Sequence, residues 1–112
     1  MAHPERSLGE FRDGWQAIRH ELQAGSAMQI NAWSVAGLHC ERARTEALRI
    51  LRATPSVVVA SDAHGPYRAP SLRLAVDALK GLAENSPCRL VSALPEALLA
   101  RGLPVEPPAL AA

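Results

Sequence analysis

Apolar residues recur at steps of three and four near the start of the chain: Leu8, Phe11, Trp15, Ile18 and Leu22. That spacing predicts an amphipathic helix over 8–24 with one stripe toward a core. Ser7 is its expected N-cap, Glu10 the capping-box partner and Gly25 the C-terminal stop. Residues 27–33 switch to a period of two, with Met28, Ile30 and Ala32 set against Gln29, Asn31 and Trp33, and read as a strand. The helical period returns over 38–53, placing Cys40, Ala43, Ala47, Ile50 and Leu51 inward, and Pro55 ends it. Val57-Val58-Val59-Ala60 is a short β-branched run and predicts a buried strand over 56–60. A third helix is expected over 71–83, with Pro70 near its start and Leu72, Ala75, Val76, Leu79 and Leu82 inward. A shorter one covers 95–101 and stops at Gly102. Helices alternating with strands predict an α/β fold whose strands, near 28–32 and 56–60, pair in parallel through crossover helices.

With 112 residues the chain makes one domain at most, and its 48% apolar content suits a packed core. Only 4% of residues are aromatic, so that core must consist of Leu, Val, Ile and Ala. The net charge of +1, with eleven arginines interleaved among acids on helices, argues against a nucleic-acid partner. No apolar run reaches the length of a membrane span. Cys40 and Cys88 lack zinc or redox spacing, and Cys40 is expected in the core. With no signal peptide, a cytoplasmic location with reduced thiols is expected. The Pro-rich segment 104–112 reads as a disordered tail after a single unit over 1–103.

The candidate chemistry lies where the second strand ends, at Ser61-Asp62-Ala63-His64. If the backbone stays extended there, Asp62 and His64 point to the same side. A carboxylate and an imidazole at the C-terminal mouth of a parallel strand suit Zn, Mn or Fe better than Ca or Mg. The same residues also make an ordinary turn after a strand, with His64-Gly65-Pro66 as its corner. Met1-Ala2-His3-Pro4-Glu5-Arg6 has two readings as well, a polar tail or part of a site. Gln29 and Asn31 share one strand face, which fits either a solvent edge or a polar site. His20 and His39 are expected on the surface.

Three blocks occur in order: His3-Pro4-Glu5-Arg6, then Met28 to Gly37, then Ser61-Asp62-Ala63-His64 followed by Arg68, Pro70 and Ser71. Over about residues 2–101 this arrangement resembles the PHP (polymerase and histidinol phosphatase) family. Within that family it is similar to the capsule- and exopolysaccharide-associated branch of bacterial tyrosine-protein phosphatases. The resemblance implies the C-terminal half of a distorted (β/α) barrel of parallel strands with flanking helices, in which Gln29 and Asn31 face a polar lumen. It implies metal-dependent hydrolysis of phosphotyrosine on a polysaccharide-synthesis kinase. Metal ligands would be His3, Asp62 and His64, and phosphate-binding arginines Arg6 and Arg68. The metal would be Mn²⁺, or alternatively Zn²⁺ or Fe, held weakly by these ligands alone. The family's N-terminal H-x-H ligand pair has no counterpart here, so the expectation is a C-terminal piece from a split gene, an eroded gene or a start set too late. Three roles stay open: an enzyme, a non-catalytic remnant or self-associating assembly module, and a half that works with an N-terminal half in trans.

Overall fold

The computed structural model describes residues 1–8, 12–66, 72–80 and 87–102. Its first element is a single 3-10 turn, Pro4–Arg6. Then follow α1 (Gly14–Gln23), β1 (Met28–Asn31), α2 (Ala32–Ala36), α3 (Glu41–Ala53), β2 (Val57–Ala60) and α4 (Leu72–Leu79). A π-helical turn, Arg89–Ala93, leads directly into α5 (Leu94–Arg101). None of the helices among the described residues is long and apolar enough to cross a membrane.

β1 and β2 pair in parallel, with Met28 opposite Val57 and Asn31 opposite Ala60, as the alternation predicts. Residues 1–3 lie along the other edge of β1 through a parallel bridge between Ala2 and Gln29. Gln29 N–H donates to the Met1 carbonyl at 2.8 Å, and His3 N–H donates to the Gln29 carbonyl at 2.6 Å. The opening segment is thus tied to the sheet and is not a loose tail. All three segments run the same way, so their C-terminal ends share one edge of the sheet. The core beneath is aliphatic: Ile18, Leu22, Met28, Ile30, Ile50, Val57, Leu79 and Leu90 are almost wholly buried.

α1 starts at Gly14, later than the 8–24 stripe implies, and Ser7 does not cap it. Ser7 instead closes the Pro4–Arg6 turn, donating its N–H to the Pro4 carbonyl. Leu8 is still buried, but it arrives from that turn and not from α1. Glu10 and Phe11 lie outside the described residues. The strand predicted to include Trp33 stops at Asn31, and the chain turns at once into α2. α2 ends at Gly37, whose φ of 80° makes the left-handed corner before α3. α3 begins at Glu41, three residues after the expected start, with Cys40 as its N-cap. Cys40 Sγ accepts from the Ala43 N–H at 3.4 Å and is exposed, so it is not a core residue. A side chain at the cap precedes the helical stripe and so falls outside it. Leu72, expected inward, is 38% exposed at the first position of α4, while Ala75 and Leu79 are buried as expected. α4 ends at Leu79, and Leu82 and Pro70 lie outside the described residues. His20 is exposed as expected. His39 is half-buried and packs against Trp33, their ring centroids 5.7 Å apart. α1 and α3 are joined at Trp15, whose Nε1–H donates to Glu46 at 3.2 Å and whose ring lies 4.1 Å beneath the Arg49 guanidinium.

Gly14 fits where a larger residue would not. A Cβ there would stand 2.9 Å from the Leu8 carbonyl oxygen. Alanine is the better helix former by about 1 kcal/mol, yet crowding against backbone costs about 1–3 kcal/mol. Gly14→Ala is therefore expected to lower stability by about 1 kcal/mol, read as a fall in the urea midpoint. A midpoint above wild type would mean that the corner relaxes freely.

Candidate functional site

The shared C-terminal edge of the sheet gathers His3 from the opening segment, Asn31 from β1, and Asp62 and His64 from the loop after β2. Along the β1 edge, successive N–H groups of one parity face residues 1–3. Gln29 donates there, and Asn31 would be next. His3 instead turns the chain away, with φ 33° and ψ 55°. The Asn31 N–H meets the Glu5 carboxylate at 3.0 Å. Pro4 stiffens that turn and Glu5 is carried inward, leaving only 2% of it exposed.

Asn31 is 1% exposed and sits in a row of polar groups. The Gln29 side-chain amide donates to Asn31 Oδ1 at 2.9 Å, and Asn31 Nδ2 donates to Asp62 Oδ2 at 3.1 Å. The Gln29/Asn31 face is not an open solvent edge, since Asn31 is buried and its side chain meets Asp62. Asp62 and His64 do come together, but not through an extended backbone. Asp62 has φ 48°, a left-handed conformation that most side chains avoid and that Asp and Asn tolerate better than others. The resulting turn brings His64 Nδ1–H onto the Asp62 carbonyl at 2.6 Å, with Asp62 Oδ1 at 3.6 Å. A carbonyl only accepts, so this bond places the ring proton on Nδ1. Nε2 is then the lone-pair nitrogen of a side chain that is 70% exposed.

Burial pushes the Glu5 carboxyl above its ordinary range. The Asn31 N–H, the nearby Ser34 hydroxyl, the Glu5 backbone N–H and the charge of His3 oppose that rise. Glu5 Oε2 and Ser34 Oγ are both buried without a well-formed hydrogen bond.

Arg6 is exposed at the end of the first turn. Arg68 lies outside the described residues. Among the described residues no group of three or more His, Cys, Asp or Glu side chains stands close enough to hold a metal ion. Sequence reasoning did not give Glu5 a role. Its only signal was an acid directly after a proline in a turn. Asn31 did leave a signal, two polar residues on one face of an otherwise apolar strand.

Residues 1–100 match the family described as capsular polysaccharide synthesis, CpsB/CapC. The chain belongs to that family. It is also similar to the tyrosine-protein phosphatase YwqE of Bacillus subtilis (strain 168), with 38% identity over 64 residues. Those residues make up 57% of this chain and 25% of YwqE, so the match spans about a quarter of that relative. No solved structure matches the chain. The matched family region includes every described residue of the polar row.

Two predictions follow from this geometry. Asp62→Ala and Asp62→Gly both remove the carboxylate, but only alanine keeps the left-handed penalty, about 1–2 kcal/mol. Asp62→Gly is expected to be the more stable of the two by about 1 kcal/mol in urea unfolding, and equal midpoints would show that the loop relaxes. Glu5 gives a pH signature. Its raised pKa means that the folded state holds the proton longer than the unfolded chain. The associated stability is complete below the ordinary glutamate range and is lost as pH rises through the raised value. Glu5→Gln keeps an acceptor for Asn31 and cannot titrate. Urea midpoints should be flatter with pH in this variant than in wild type across that window, and parallel profiles would contradict the burial effect.

Proposed function

We propose that this chain supplies part of the active site of a tyrosine-protein phosphatase acting in capsular polysaccharide synthesis. The observation that carries the reading is the strand-end cluster. At the strand ends Asn31 hydrogen-bonds Asp62 and the His64 ring hydrogen-bonds the Asp62 carbonyl, with His3 ending the adjoining segment, inside a region that matches the family. Ligands bind at the C-terminal ends of parallel strands because loops and unpaired backbone groups are presented there. Arg6, exposed beside this edge in sequence, has the planar fork suited to a phosphoryl group, and the resemblance gives Arg68 the same role. The substrate class is a phosphotyrosine protein, a polysaccharide-synthesis kinase by resemblance. The half-barrel architecture is part of the same proposal.

The donors among the described residues do not by themselves make a metal centre. His64 Nδ1 is committed to the Asp62 carbonyl, and His3 stands on a separate segment. A metal centre here needs further donors of the kind a family N-terminal half would bring, Mn²⁺ being the metal proposed for the completed site.

The test is hydrolysis of an aryl phosphate with added Mn²⁺. The 112-residue chain alone is expected to show negligible turnover. Co-expression with the N-terminal half of YwqE is expected to give turnover that His64→Ala abolishes. Robust turnover by the chain alone, lost on mutating Asp62 or His64, would overturn the need for a complement. Silence in both preparations would overturn the phosphatase reading.

A further inference from the structure

We propose that Asn31 is a positioning residue that holds the Asp62 carboxylate in its working orientation. The inference rests on the phosphatase reading for what Asp62 does, but not for how Asp62 is held.

Asn31 occupies the N-cap of α2 with extended dihedrals, φ −76° and ψ 136°. An asparagine there ordinarily folds its side chain back onto the second or third helical N–H. Asn31 makes no such bond. The acid usually found three residues into a capping box returns to the cap residue's own N–H. In α2 that third position is Ser34, and the acid comes instead from Glu5, whose Oε1 accepts from Asn31 N–H across 26 residues of sequence. Glu5 thus holds the Asn31 backbone, while the Asn31 carboxamide, not folded back onto α2, bridges Gln29 and Asp62 at the strand ends.

Its orientation there is dictated at both ends. Oδ1 receives the Gln29 amide at 2.9 Å, which leaves Nδ2 facing Asp62 Oδ2 at 3.1 Å. An ionised carboxylate only accepts, so a reversed Asn31 amide would set oxygen against oxygen. Asp62 belongs to a left-handed turn that would relax without external contacts. The Asn31 donor fixes one carboxylate oxygen, and the turn sets His64 against the other at 3.6 Å. Asn31 is buried, so it acts through Asp62 and not on a ligand.

The experiment is an exchange cycle with N31D, D62N and the double variant N31D/D62N. Asn31→Asp keeps the shape and the Glu5 bond but faces one carboxylate with another. The double variant restores one donor and one acceptor in the same place with reversed polarity. In urea unfolding of the 112-residue chain, N31D should fall well below wild type, and the double variant should return to the D62N midpoint. Strict additivity of the two changes would overturn the contact.

The functional arm uses the assembly that hydrolyses aryl phosphate. Asn31→Ser retains the backbone N–H for Glu5 but is too short to reach Asp62. It should lower kcat about tenfold with little change in KM. The double variant should regain stability without turnover, because the carboxylate has moved. If Asn31 were merely structural, turnover would track stability and Asn31→Ser at wild-type stability would keep wild-type kcat; that result overturns the positioning role. An inactive wild-type assembly would count against the phosphatase reading alone, since the urea cycle still decides whether Asn31 holds Asp62.

Discussion

One buried hydrogen bond, from the Asn31 N–H to the Glu5 carboxylate, decides how the three strand ends are arranged. Without it the β1 edge would continue its ladder with the opening segment. The bond stops that ladder, draws the turn at Pro4–Arg6 inward and starts α2 immediately after the strand. A carboxylate with only 2% of its surface exposed is expensive to hold ionised. The opposition is partial, from two backbone donors, a nearby hydroxyl and a histidine, and burial outweighs it, so the Glu5 pKa is raised. The arrangement therefore trades stability at higher pH for a fixed junction at the mouth of the sheet.

The same bond ended β1 earlier than its sequence pattern implied, while other parts of the fold were readable from local signals. The β-branched run at Val57–Val59 and the stripes of α1, α3 and α4 are local signals, and the parallel register and the aliphatic core agree with them. Element ends were read less well because remote partners set them. Ser7 and Glu10 spell a capping box, but Ser7 belongs to the Pro4 turn. Period two carried the predicted strand through Trp33, while Glu5 ended it at Asn31. Cys40 continued an apolar spacing, yet the left-handed corner at Gly37 put it at the cap of α3, on the solvent side. The π-helical turn before α5 left no periodic trace in the sequence.

At the site, Asp62 and His64 were legible as a pair, but for a reason the structure replaces. Strand alternation would bring them together only in extended backbone, whereas the observed pair is made by a left-handed turn and a hydrogen bond to the Asp62 carbonyl. His3 could be read as a site residue only by resemblance, because nothing local says that residues 1–3 pair with β1. Glu5 was not legible as a buried group, since acids are usually solvated and its partner lies 26 residues away.

Among the described residues, positive φ outside glycine occurs at two positions, His3 and Asp62. They end the two segments that flank Asn31, whose backbone N–H and both side-chain polar atoms are hydrogen-bonded. Strained backbone persists where surrounding contacts over-determine it, and it tends to mark sites where geometry matters more than stability. A solvent edge would let both residues relax into ordinary loop conformations. Both turns border the buried Asn31 amide, whose bonds to Glu5, Gln29 and Asp62 tie the three segments together at this edge.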